Sequence, residues 1–194
     1  FFNQADKKNA KDTYARIMTW FVIFGALFML IVVGFIDLFA GLLLGKEEYF
    51  AALMIVPVIL LANLFLGIYY NLSIWYKLTD KTRYGMYFSI VGAIITLVLN
   101  LTLIPILGIM ASAWATLAAY LTMVLLSYLY SRKYYPIPYS LKTSALLLVL
   151  ATSLSYLSFV FFRGNYIVSL AILGLFVGYA YWNQKNEIHQ IWKA

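Results

Sequence analysis

The sequence holds no cysteine and a single histidine, His189. Disulfide scaffolds and thiolate metal sites are excluded, and a lone imidazole has no second ligand with which to hold a metal, so His189 reads as part of a solvated tail. No cofactor is expected. Charge is scarce as well: 11% of the 194 residues are charged and 64% are hydrophobic, with mean hydropathy +0.87. Soluble domains carry roughly 25% charged residues, so a soluble globular domain is excluded. Acids are the rarer sign, 7 against 14 Lys and Arg, for a net charge of +7. That surplus falls in short clusters between apolar runs and forms no basic stripe. A nucleic-acid partner is not expected; the pattern is that of a membrane protein.

What is present is a series of uncharged runs. Between Arg16 and Asp37 lie 20 residues, between Glu48 and Lys77 28, between Arg83 and Arg132 48, between Lys142 and Arg163 20, and between Arg163 and Lys185 21. About 20 residues at 1.5 Å rise cross a ~30 Å hydrocarbon layer. The runs predict an all-α polytopic bundle of six membrane helices, at 15–36, 50–76, 84–104, 108–131, 142–162 and 166–184. Residues 1–14 are expected as an amphipathic lead-in along the membrane surface, with Ala10, Tyr14 and Ile17 on one face. A four-helix part follows over 15–131, two further helices over 132–184, and a tail over 185–194. In the 48-residue run, "IPILG" is the expected turn, because Pro105 cannot sit in a hydrogen-bonded helix interior and Gly108 tolerates conformations that other residues resist. The chain opens on Phe1 in mid-pattern, and "FFNQADKKNAKDTYAR" reads as an internal loop of a longer protein.

Lys and Arg set the orientation. With the first residues in the cytoplasm, twelve of them fall on that side: Lys7, Lys8, Lys11, Arg16, Lys77, Lys81, Arg83, Arg132, Lys133, Lys142, Lys185 and Lys193. Only Lys46 and Arg163 fall on the other. The positive-inside rule then expects both ends of the chain in the cytoplasm. Trp75, Tyr76, Tyr84, Tyr134, Tyr135, Tyr139 and Trp182 gather at the same boundary.

No acid or base lies deep in a crossing, so an ion relay is not expected within these helices. On the second helix Asn63, Gly67, Tyr70 and Asn71 share about a third of the circumference. They read equally as the lining of a polar substrate cavity and as interhelical hydrogen-bonding groups. Pro57 is expected to kink that helix, as a static bend or as a hinge. Ser89, Gly92, Thr96 and Asn100 form a stripe on the third helix; Gly108, Ala111, Ser112, Ala115 and Ala119 form one on the fourth. Close helix packing is the expected role, ahead of substrate contact, with Asn100 bonding across the hairpin. Gly174 and Gly178 form a GxxxG pair read as packing. The basic clusters at Lys77, Lys81 and Arg83 and at Arg132 and Lys133 serve topology, with anionic membrane lipid as a second reading.

"NLSIWYKLTDKTRYG", "GAIITLVLNLTLIPILGIMASAWATLAAYL" and "KYYPIPY" resemble the C-terminal portion of bacterial polysaccharide-biosynthesis flippases. These are the Wzx-like, O-antigen transporters of the superfamily that also holds lipid II flippases and multidrug exporters. The Leu99–Gly108 run followed by an Ala/Ser-rich helix is the most specific part. The resemblance implies the ninth to fourteenth helices of a transporter with about fourteen, in the bacterial cytoplasmic membrane. It also implies alternating access, an N-terminal lobe of the same chain as partner, and lipid-linked (undecaprenyl-diphosphate) oligosaccharide as substrate, for lipopolysaccharide and related surface polymers. The family's charged cavity residues have no counterpart in these spans, so no binding residue is carried over. The competing expectations are a cation-coupled multidrug exporter of the same fold, a polysaccharide polymerase or ligase, and a structural membrane subunit. An enzyme would need a catalytic constellation on an outer loop, and the stretches 37–49, 105–107 and 163–165 are short and hold none.

Overall fold

A computed structural model describes residues 8–43 and 52–192, with side chains over 10–43 and 52–185. Among them the chain is helical with no strand. The elements are α1 (Lys8–Gly34), α2 (Ile36–Leu43), α3 (Val56–Leu72), α4 (Ile74–Leu78), α5 (Arg83–Leu107), α6 (Ile109–Tyr134), α7 (Leu141–Phe161) and α8 (Tyr166–Trp192). Six helical spans are long and apolar enough to cross a membrane: Ala10–Gly34, Ala52–Leu78, Arg83–Leu107, Ile109–Tyr134, Leu141–Phe161 and Tyr166–Lys185. The fold is a polytopic helical bundle.

α1 is its central post. Val22, Ala26, Met29 and Val33 recur at helical spacing and are buried. They join Leu64, Ile68 and Leu72 of α3, Leu147 and Ala151 of α7, and Ile172 and Phe176 of α8 in one cluster. Two glycines let α1 and α3 interlock: Leu64 fills the space where a Gly25 side chain would stand, and the Phe21 ring fills the corresponding space over Gly67. α8 docks where Ser169 lies against Gly34 and donates Oγ–H to the Gly34 carbonyl at 2.9 Å. On the other flank α6 presents buried Ala111, Ala115, Ala119, Met123 and Ser127, four residues apart, and packs against both α3 and α5.

Several expectations are corrected. The lead-in at 1–14 is not a separate surface helix over its described part, because α1 begins at Lys8 and runs unbroken into the membrane span; Ala10 and Ala15 are buried and Ile17 is exposed. No Gly or Pro interrupts residues 8–24, so nothing stops the helix there. Residues 1–7 lie outside the described residues, as does 44–51, which holds Lys46. The stretch from 37 begins as helix α2, not as loop.

"IPILG" is not a five-residue turn. α5 continues through Pro105 to Leu107, and Gly108 alone reverses the chain at φ +58°, ψ −139°, a conformation L-residues avoid. Proline is tolerated there because it falls in the last turn, and the Gly108 N–H still reaches the Ile104 carbonyl at 2.9 Å. With nothing within 4 Å of where its Cβ would be, Gly108 is a turn residue rather than a packing residue. Gly174 and Gly178 also meet nothing within 4 Å. α8 uses Ile172, Phe176 and Ala180 as its inner stripe, which turns the GxxxG face away from the bundle. The last span ends at Lys185, and α8 extends beyond it to Trp192 through a polar but helix-compatible stretch, so the described part of the tail is helical.

Pro57 does not kink a helix. It occupies the first turn of α3, where the N–H it lacks has no intrahelical partner to lose. The break in this span is at Ser73, between α3 and α4. There the Ser73 N–H is shared by the Tyr69 and Tyr70 carbonyls at 2.9 and 3.2 Å, and the hydroxyl donates to Tyr70 O at 2.6 Å.

Candidate functional site

The four-residue face of α3 stays on one side but does not act as one unit. Gly67 is covered by Phe21 of α1, whereas Tyr70 is 61% exposed on the side toward α5. Asn63 donates its amide N–H to the Ile59 carbonyl at 2.9 Å, and Asn71 to the Gly67 carbonyl at 3.0 Å. Both bonds stay within the helix, one turn back, so neither amide links α3 to a neighbour among the described residues. Such self-satisfaction lowers the cost of an amide in hydrocarbon while keeping its oxygen as an acceptor.

The larger polar surface is on α5. Its most apolar window is only 6% buried, the least of the six spans. Ser89, Thr96 and Asn100 nonetheless line a groove of about 800 Å³ with Tyr70 and Leu66 of α3 and Tyr120 of α6. Gly92, on the same stripe, is closed over by Met123, which seats α5 on α6 at that level. The hydroxyls of Ser89 and Thr96 each donate to the carbonyl four residues back at 2.9 Å. Asn100 Oδ1 accepts from Ser112 Oγ at 2.9 Å across the one-residue turn, and the Asn100 amide nitrogen bonds nothing among the described residues. The groove is therefore mostly apolar, with Leu66, Leu97, Leu101, Ile104 and Met123 beside a few hydroxyl, phenol and amide groups, and it carries no charge. Sequence reasoning favours packing over substrate contact for the α5 stripe and passes over Tyr120. The available signal was that Leu97 and Leu101 flank the stripe, leaving its outer side for lipid or a ligand.

At the end of the bundle where α4, α5 and α6 meet, the sequence-selected cations surround an aromatic plate. Trp75 is fully buried and donates Nε1–H to Ser127 Oγ at 3.2 Å. The Tyr134 ring stacks on it at 5.6 Å, and the Tyr84 and Tyr134 hydroxyls are 2.9 Å apart. Lys81 Nζ lies 3.5 Å and Lys133 Nζ 5.7 Å from the Tyr134 ring centroid, and Arg132 sits 6.0 Å from the Tyr128 ring. Lys77 and Arg83 are exposed nearby in sequence. In the connection to α7 the Tyr139 hydroxyl is buried without a hydrogen-bond partner, and burial pushes its pKa up.

The opposite end holds a contact that the sequence reading missed. Arg163, in the α7–α8 turn, donates Nε–H to both oxygens of Asp37 at 2.9 and 3.1 Å, and a terminal N–H to Oδ1 at 2.6 Å. The Asp37 carboxylate raises the Arg163 pKa still further above neutrality. Charge bookkeeping alone pointed to it: one acid and one base stand alone at the outer ends of long apolar runs. No group of three or more metal-ligating side chains occurs among the described residues.

Six apolar spans, one of them a buried post, with an uncharged groove on one flank, define a multi-pass membrane protein of the transporter type. The chain belongs to the MatE family, whose pattern it matches over residues 1–102, and which is a family of membrane exporters rather than enzymes. Comparison with curated proteins and with solved structures gave no match.

Proposed function

We propose that this chain is the C-terminal part of a flippase that carries undecaprenyl-diphosphate-linked oligosaccharide across the bacterial cytoplasmic membrane by alternating access, with both of its ends in the cytoplasm. The observation that carries the reading is the α5 groove: Ser89, Thr96, Asn100, Tyr70 and Tyr120 place neutral hydrogen-bonding groups along a helix otherwise directed outward. Sugar hydroxyls are matched by such groups and released by them, whereas a charge would be costly each time the path closed. The groove is one wall. Further helices of a longer protein would supply the other wall and the charged diphosphate contacts, in keeping with the resemblance to Wzx-like proteins.

The test is complementation of a flippase-deficient strain by the full-length protein, reading surface polysaccharide against membrane abundance. Thr96→Val with Asn100→Leu is expected to lower polymer at normal abundance, and Asn63→Leu with Asn71→Leu to do so to a smaller degree. Full restoration by all of these variants removes the groove assignment. Restored drug tolerance without restored polymer would instead favour a cation-coupled multidrug exporter, the alternative compatible with the same family. Cysteine accessibility at Arg83→Cys and Asn165→Cys checks the orientation; labelling of the former only from outside overturns it.

A further inference from the structure

We infer that the cleft between the α4–α5 turn and the end of α6 binds the phosphate of an anionic head group at the membrane border. The cleft, about 600 Å³, is lined by Lys81 and Arg83, by the phenols of Tyr84, Tyr87 and Tyr130, and by one carboxylate, Asp80. Three membrane spans end here, at Leu78, Arg83 and Tyr134, so the cleft opens at the level where lipid phosphates lie. Its volume exceeds what a bare phosphate needs and leaves room for the group esterified to it.

Lys81 is held, neither cation is ion-paired among the described residues, and the two outnumber the single carboxylate in the cleft. Among the described residues the only ion pair within 4.0 Å is Asp37–Arg163 at the far end, so neither Lys81 nor Arg83 has a carboxylate that close. Lys81 is fixed on two sides: its backbone N–H donates to the Tyr76 carbonyl at 2.8 Å, and its ammonium lies 3.5 Å from the Tyr134 ring centroid. Asp80 takes φ +54°, the left-handed turn conformation that Asp tolerates better than most residues, and so turns the chain from α4 into α5. A topology signal requires only that Lys and Arg be present in the loop. It does not require them to be gathered with tyrosines, and while the Tyr84 hydroxyl is engaged with Tyr134, those of Tyr87 and Tyr130 are potential donors to a phosphate oxygen. The assignment is independent of the substrate carried through the groove.

Native mass spectrometry of the full-length protein in detergent, offered phosphatidylglycerol and phosphatidylcholine, tests it. The parent is expected to retain phosphatidylglycerol preferentially. Lys81→Gln and Arg83→Gln should each lower that retention about fivefold, the effect of removing one cation near an anionic lipid surface. Asp80→Asn should raise it, and Lys81→Arg should preserve it, which separates loss of the site from loss of fold. Lys11→Gln with Arg16→Gln removes charge from the same end outside the cleft and should change retention little. A second arm titrates inorganic phosphate against the retained lipid. Displacement sensitive to Lys81 and Arg83 identifies a soluble phosphate compound as the source, and no displacement identifies the lipid. Equal retention of both lipids with no phosphate binding, or an equal loss in the Lys11/Arg16 variant, overturns the proposal.

Discussion

The spans Ala10–Gly34 and Arg83–Leu107 have the same length and the same mean hydropathy, yet 50% of the first window is buried against 6% of the second. Hydropathy measures compatibility with an apolar medium, and a lipid tail is as apolar as a leucine. It cannot say which helix is the post and which the outer wall. Shape separates them. α1 offers Gly25 to α3 and Gly34 to α7 and α8, so other helices come close on several sides. α5 gathers most of its small and polar residues on the one stripe from Ser89 to Asn100 and, Thr102 apart, covers the rest largely with exposed Leu and Ile.

The contrast breaks most sharply at Phe176 and Leu101. Phe176 is fully buried against the α1 post, and Phe176→Ala should cost about 3–5 kcal/mol in unfolding in detergent. Leu101 on α5 is 71% exposed, and Leu101→Ala should stay within about 0.5 kcal/mol. Comparable losses at both positions would mean that α5 is as enclosed as α1. Next come overfilled contacts: Gly67→Val, facing Phe21, and Ala115→Leu, fully buried on α6, should each cost roughly 1–3 kcal/mol by the same measurement. A double-mutant cycle on Asn100→Leu and Ser112→Ala should give a coupling of about 0.6 kcal/mol, typical of a hydrogen bond between membrane helices. Zero coupling would leave the α5 turn held by Gly108 alone. The smallest effect belongs to Asp37→Asn, where the paired side chains are 37% and 30% exposed. A loss of about 0–1 kcal/mol that shrinks as salt is added is expected from thermal unfolding.

The number of spans and their approximate limits were legible because charges are costly in hydrocarbon and therefore fall at helix ends. The residues at the ends were less so. The sequence suggests a kink at Pro57 and a turn at Pro105, but proline is harmless in a first turn and tolerable in a last one, and only the third dimension tells those positions from a middle. Gly174 and Gly178 match a packing motif that fits either side of a helix; Phe176, midway between them, decided which side faces the bundle. The polar groove was half legible. Its α5 stripe is periodic in the sequence, while Tyr70 and Tyr120 join it from helices whose approach depends on Gly92 receiving Met123, a pairing that no local pattern encodes.

Gly108 sets a mechanical limit. Helices joined by one residue have about 3.6 Å of slack, less than the 5.4 Å of a single helical turn. α5 and α6 therefore cannot ratchet past each other by a turn without unravelling an end, and the Ser112–Asn100 bond sits just beside the stitch that would have to give. Any rearrangement in this part of the protein has to carry the pair as one strut, so the groove wall on α5 and the alanine face on α6 travel together. A displacement felt at the α3–α6 contact is thereby delivered, with no gearing in between, to the polar surface on the outside.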